Sequence, residues 1–289
     1  MNVIDRLMSG SIDMHVHFTP DSLAVRRQDA LRLAQSARDA GMRAVVLKSR
    51  EFNTVPVAML ASELVPEVSV IGSITLDNEV GGLNPVAVMA AARMGARVVW
   101  MPTLTAANSK AKWESVNRQK LSGAGQSVFD ASGKLRPEVK EIVQIVKEYD
   151  ICLSSGHLSP RETFALVEEA QKAGVARMVI THALQGGLIE EALTPDDVKQ
   201  LAQSGAYIEH SLWGVMPTIG TTDLKKVVDS IKDTGAERCI MTSDFGQDLH
   251  PPAPEGLRLF IATMLRNGID EKEIELMVKT NPARLVGLG

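Results

Sequence analysis

Residues 40–49 read AGMRAVVLKS. A polar, helix-like stretch closes on Ala40-Gly41, and a short apolar run, AVVLKS, follows within three residues. Glycine is the usual residue just past a helix C-terminus, where the chain turns left-handed. The run after it is rich in Val and carries no polar alternation, as expected of a strand buried on both faces. The same junction recurs along the chain. Met94-Gly95 precedes ARVVWMP, Ala173-Gly174 precedes ARMVITH, Ser204-Gly205 precedes AYIEHSL, and Thr234-Gly235 precedes ERCIMTSD. Three further runs read as strands on pattern alone: SIDMHVHF (11–18), VSVIGSIT (68–75) and ICLSSGHL (151–158).

The eight candidate strands start near residues 11, 43, 68, 96, 151, 176, 206 and 238, and all but one of the gaps span 25 to 32 residues. That is one strand–helix unit per gap, which implies a parallel sheet. Eight units favour a closed (β/α)8 TIM barrel over an open doubly wound sheet, the competing arrangement. The chain of 289 residues suits one such barrel, read as a single domain over 1–289. The exceptional gap, between predicted strands 4 and 5, holds a polar insert at 104–135. On a barrel it would overhang the C-terminal face as a lid, because long loops in compact domains are usually functional. The insert's Lys110, Lys112, Arg118 and Lys120 read as a solvated loop.

Composition narrows the partners. The chain is 45% hydrophobic and 23% charged with a net charge of −4, and no block of five like charges occurs. No nucleic-acid or membrane surface is indicated. The N-terminus lacks a basic segment followed by a signal-length apolar run, so a cytoplasmic protein is expected. Cys152 and Cys239 both lie in strand-like runs and read as reduced core thiols. Neither a phosphate-binding glycine loop nor a nucleophile elbow is present.

Of six histidines, five fall at or near the C-terminal ends of predicted strands. His15 and His17 end strand 1, His157 strand 5 and His182 strand 6; His210 lies in strand 7, and Asp244 ends strand 8. In a barrel these ends converge on one mouth. His15 and His17 are two apart and so share a side of the strand. Several imidazoles with one carboxylate form the ligand set of a borderline divalent cation such as Zn²⁺.

Asp13-Met14-His15-Val16-His17 resembles the D-x-H-x-H signature on strand 1 of the amidohydrolase superfamily. His157, His182 and Asp244 match that family's strand 5, 6 and 8 positions in order, and Asn281 to Leu288 is similar to its N-P-A-x-x-x-G-L ending. The resemblance spans residues 11 to 288. It implies a metal held by His15, His17 and Asp244 with His157 or His182 as further ligands, and Asp244 as the general base for a water. Zinc is expected first, with Mn, Fe or Co also compatible. The best-known two-metal members carry a bridging carboxylated Lys or Glu on strand 4. Here that strand ends in Trp100, Met101 and Pro102, which favours one ion over two.

Lys48 closes predicted strand 2. It could bind a substrate anion or polarise a carbonyl, become carboxylated and act as a replacement ligand, or simply reach solvent at the rim. Arg50 could share an anion-binding role. Of the adjacent Glu209 and His210 only one can face the interior, and His210 is chosen here as a substrate-contacting or ligand-supporting residue. His250 reads as a plain loop histidine. The expected function is hydrolysis of a small amide, lactone or ester-like substrate, polar or anionic and held partly by Lys48. The alternatives are a one-metal, non-oxidative decarboxylase and a non-catalytic metal- or ligand-binding barrel. A homo-oligomer is a weak expectation.

Overall fold

The computed structural model describes residues 2–218 and 221–289. Nine strand segments run parallel: β1 Ile12–His17, β2 Ala44–Lys48, β3 Ser69–Ile71, β4 Ser73–Thr75, β5 Val98–Trp100, β6 Cys152–Ser154, β7 Met178–Ile180, β8 Tyr207–Ser211 and β9 Cys239–Thr242. They pair as one sheet of β1-β2-β3 and another of β4 to β9 in order. The two arcs close into a barrel of eight staves, β3 and β4 being one stave interrupted at Gly72.

Both seams have a physical cause. At Gly72 a Cβ would stand 2.4 Å from Val55 Cα, so the chain there is fixed by contact with the start of the helix Val55–Leu64. Thr54, just before that helix, wedges into the gap. Its Oγ1 accepts the Ser73 N–H at 2.8 Å and lies 3.0 Å from the Leu47 carbonyl, replacing ladder hydrogen bonds with a side chain. The other seam is joined past the strand ends: His17 N–H donates to Phe245 O at 2.8 Å and Asp244 N–H to His15 O at 3.0 Å.

Alternation along each strand divides the core. Ala44, Val46, Val98, Trp100, Tyr207 and Ile240 point into the barrel, whereas Val45, Leu47, Val99, Leu153, Ile208 and Met241 pack under the surrounding helices. The same parity sends Lys48, Glu209 and Thr242 inward. On β1 the pairing register shifts between Asp13 and Val16. Met14 therefore fills the barrel while Val16 faces the helices, and both histidines still reach the mouth.

The barrel floor is plugged by the C-terminal helix Asn281–Val286, whose Ala283, Leu285 and Val286 pack on the interior residues. Asn281 Nδ2 donates to Ala236 O and Cys239 O, both at 2.8 Å, which pins the plug to the start of β9. The residues between β5 and β6 are not a bare loop. They hold the helix Ala107–Asn117, and its Lys112 donates to Ile189 O at 2.8 Å while Lys110 donates to Leu121 O at 2.8 Å. These two lysines therefore tie down the backbone, in contrast to the solvated loop expected of them. No helix among the described residues is long and apolar enough to cross a membrane.

Candidate metal centre at the barrel mouth

His15, His17 and Asp244 meet across the β9–β1 seam. His15 Nε2 lies 3.1 Å and His17 Nε2 3.2 Å from Asp244 Oδ1, and one ligand atom from each residue falls within 4.8 Å of the other two. Asp244 reaches this point from a left-handed backbone conformation, φ 54°, and His182 holds φ 24°. Such angles are costly for residues with a Cβ and tend to persist where surrounding structure imposes them for function.

The hydrogen-bond network orients the imidazoles. His15 Nδ1 lies 2.8 Å from Glu209 Oε1. Burial alone would raise Glu209, but the neighbouring His15 brings it down to about 2, so it is a carboxylate and must accept a proton from Nδ1. His15 Nε2 then faces the site. It stands beside the ionised Asp244, which despite its burial is held far below the usual carboxylate range by His15 and His17. A carboxylate this deeply buried needs positive charge close by. Lys48 Nζ supplies some, lying 2.9 Å from His15 Nε2 and 4.5 Å from the Trp100 ring centre. A divalent cation would meet the same need at the same atoms, so the donor set fits one.

Glu209 is the centre of this support. Beyond His15 it accepts Thr242 Oγ1–H at 2.8 Å and the His182 backbone N–H at 3.0 Å. His210, expected at the site, is instead turned away with Ile208. It lies in a separate small cavity with Thr222 and Val227, its Nε2 buried and without a partner among the described residues. Counting parity from the inward Tyr207 identifies Glu209, a signal the sequence already held.

His157 and His182 form a second group, Nε2 to Nε2 at 3.2 Å. Ser109 Oγ, on the helix of the insert, gives its proton to Leu188 O at 2.9 Å and so takes one from His157 Nδ1 at 3.1 Å. His157 Nε2 is therefore an acceptor and His182 Nε2–H the donor. Burial pushes His17 and His157 well below the ordinary histidine value and His182 down to about 4, so all three are neutral near pH 7. Neutral imidazoles are the form that binds metals. These two histidines do not fall within the His15/His17/Asp244 cluster.

The site opens into a cavity of about 290 Å³. Its walls include His17, Lys48, His157, His182 and Asp244, with Leu23, Leu104 and Leu188 as apolar faces and Trp113 and Asn117 from the insert helix. Arg26 and Arg50 also line it. Arg26, on the loop after β1, carries no strand-end signal. His250 stacks on Phe245 at 4.7 Å and lies beside Gln247 Oε1, as a buried loop residue.

The fold is shared with solved structures of low sequence identity. An amidohydrolase from Pseudomonas aeruginosa superposes with a TM-score of 0.63 at 12% identity, over 98% of this chain and 99% of that one. The probable dipeptidase PvdM from the same organism gives 0.66 at 13%, over 98% and 96%. A lactonase from Listeria monocytogenes gives 0.62 at 13%, over 97% and 95%. The structural class is thus the α/β barrel of these proteins. By sequence the chain belongs to DUF6282, described as a family of unknown function, whose model matches residues 10–209. A comparison with curated protein sequences finds no match.

Proposed function

We propose that this chain is a metal-dependent hydrolase of the amidohydrolase type, acting on the carbonyl of a small lactone, ester or amide. The observation that carries this reading is the convergence of His15, His17 and Asp244 at one end of a cavity, with Glu209 and Lys48 behind His15. The amidohydrolase and lactonase folds named above support it. A divalent cation held by these three residues, zinc before manganese, would lower the pKa of a water and polarise a carbonyl.

The chain's own groups supply the rest. Ionised Asp244 is the base placed to take a proton from the attacking water as the water oxygen bonds to the carbonyl carbon. Glu209 holds the His15 ring with its Nε2 facing the site. Lys48, if displaced from His15 Nε2 by the cation, carries its ammonium at the cavity wall, where it can stabilise negative charge on a substrate oxygen. The insert helix, through Trp113 and Asn117, covers part of the opening and keeps bulk water away.

The test is elemental analysis followed by a panel of lactones, esters and small amides. About one equivalent of metal, abolished in the His15→Ala/His17→Ala double variant, is expected. Asp244→Asn should reduce turnover by roughly 10²- to 10⁴-fold. Absence of metal after growth in supplemented medium would overturn the reading, and release of CO₂ in place of hydrolysis products would assign a decarboxylase.

A further inference from the structure

We infer that Arg26 and Arg50, locked together by Asp21, form a clamp for a carboxylate carried by the substrate; this rests on the reading of the neighbouring centre as hydrolytic. Arg26 Nε and Nη2 donate to Asp21 Oδ2 at 2.8 and 2.6 Å, and Arg50 Nη2 donates to Asp21 Oδ1 at 2.8 Å. Asp21 is itself fixed, since Oδ1 also accepts the backbone N–H groups of Leu23 and Ala24 at 2.9 and 3.0 Å. Both guanidinium groups are therefore held rigidly in advance of any ligand. Pre-ordering of this kind removes the entropic cost of fixing long side chains at the moment of binding.

The arginines are only 6% and 5% exposed, yet both line the cavity. Asp21 and Glu51 occupy Arg26 Nε and Nη2 and Arg50 Nη2. Arg26 Nη1 and Arg50 Nε and Nη1 make no hydrogen bond among the described residues, and they are not sealed from solvent. Water can accept from these donors, and a carboxylate entering the cavity would replace it with charge-assisted hydrogen bonds. A planar carboxylate matches the fork of N–H groups that remains.

The local charge selects the anion. Arg26 and Arg50 are balanced by Asp21 and Glu51, and Lys48 shares the cavity with the ionised Asp244, so no surplus positive charge is left to hold a dianion. A monoanionic carboxylate is therefore admitted with less repulsion than a phosphate dianion. Arg26 and His17 line the same cavity, so clamp and metal ligands share it. Gln185 also lines the cavity, and its Oε1 is buried without a partner among the described residues, an acceptor for a substrate N–H or O–H. The substrate class that fits is a small acid bearing a lactone, ester or amide carbonyl a few bonds from its carboxylate. The cavity volume, at the small end for ligand sites, agrees.

The experiment is a binding comparison that needs no turnover. Wild-type protein is stripped with 1,10-phenanthroline, a neutral chelator, or loaded with zinc. Succinate, succinamide and orthophosphate are then titrated against tryptophan fluorescence, which reports on Trp113 and Trp213 in the cavity wall, and against melting temperature. Succinate should bind in both forms, at least roughly tenfold tighter than succinamide, because charge-assisted hydrogen bonds are lost in the amide. Arg26→Gln and Arg50→Lys should each weaken succinate by about the same factor and leave succinamide unchanged. Equal binding of succinate and succinamide, tighter binding of orthophosphate, or succinate binding that vanishes with the metal would each overturn the clamp. The wild-type comparison stands even if a variant fails to fold. Selective succinate binding without hydrolysis of any panel substrate would sink the hydrolase and leave the clamp; the reverse result would do the opposite.

Discussion

Glu209 joins β8 to both neighbours of the metal centre: it accepts from His15 Nδ1, from Thr242 Oγ1 and from the His182 backbone. A carboxylate behind a ligating imidazole fixes its tautomer and raises its basicity, and losing it typically costs 10- to 100-fold in metal affinity. Glu209→Gln keeps the shape and removes the charge. It should weaken zinc by about that factor in a competitive-chelator titration; unchanged affinity would mean that His15 is oriented by packing alone. The next residue behaves differently. Burial pulls His210 from its ordinary value of 6.5 down to about 4. The unfolded chain takes up a proton as the pH falls below 6.5, whereas the folded one does not until near 4. Stability is thus lost on acidification through that window, by about 2 kcal/mol at pH 5 from this residue. Urea melts of metal-free His210→Phe at pH 7 and 5 should show a drop between the two pH values smaller than wild type by about that amount. An identical drop in both proteins would place the acid sensitivity elsewhere.

At the scale of elements, the strand positions were legible in the sequence because buried parallel strands are short apolar runs, and a glycine stop precedes several of them. The ends of those strands located His15, His17, His157, His182, Lys48 and Asp244. What the sequence did not reveal was tertiary in origin. VSVIGSIT reads as one strand, yet Gly72 divides it because Val55 and Thr54 press into the gap from another element. Arg26 and Asp21 sit on a loop whose course is set by contacts with residues 246–247, more than two hundred positions away. No periodicity marks such residues. Residue chemistry alone favours His210 over Glu209, whereas strand parity from the inward Tyr207 turns Glu209 to the site. Gly72→Ala tests the seam: its methyl would stand 2.4 Å from Val55 Cα, a backbone atom that cannot swing aside. Overpacking of this sort costs about 1–3 kcal/mol, enough to lower the melting temperature by several degrees. A melting temperature within a degree of wild type would show that the seam yields freely.

Across the whole molecule, the two ends of the barrel do different work. The floor is closed by the C-terminal plug, whose Asn281 bonds belong to architecture, although N-P-A was read in the sequence as a family signature. The mouth is where β1 and β9 come together with few ladder hydrogen bonds, and His15, His17 and Asp244 straddle that seam. A cation held there would bind the folded barrel and not the unfolded chain, adding about 2.7 kcal/mol when free metal is a hundredfold above Kd. It would also clasp the first strand to the last. Chelation should therefore loosen the protein unevenly. Amide exchange should accelerate in peptides covering 12–17 and 239–246, where His17 N–H and Asp244 N–H cross the seam, while 98–100 and 152–154, in the middle of the six-stranded arc, keep their protection. Uniform acceleration would mean that the metal stabilises the barrel only globally. No change at all would mean that Lys48 already holds the seam's charges together and that the cation, when present, serves chemistry alone.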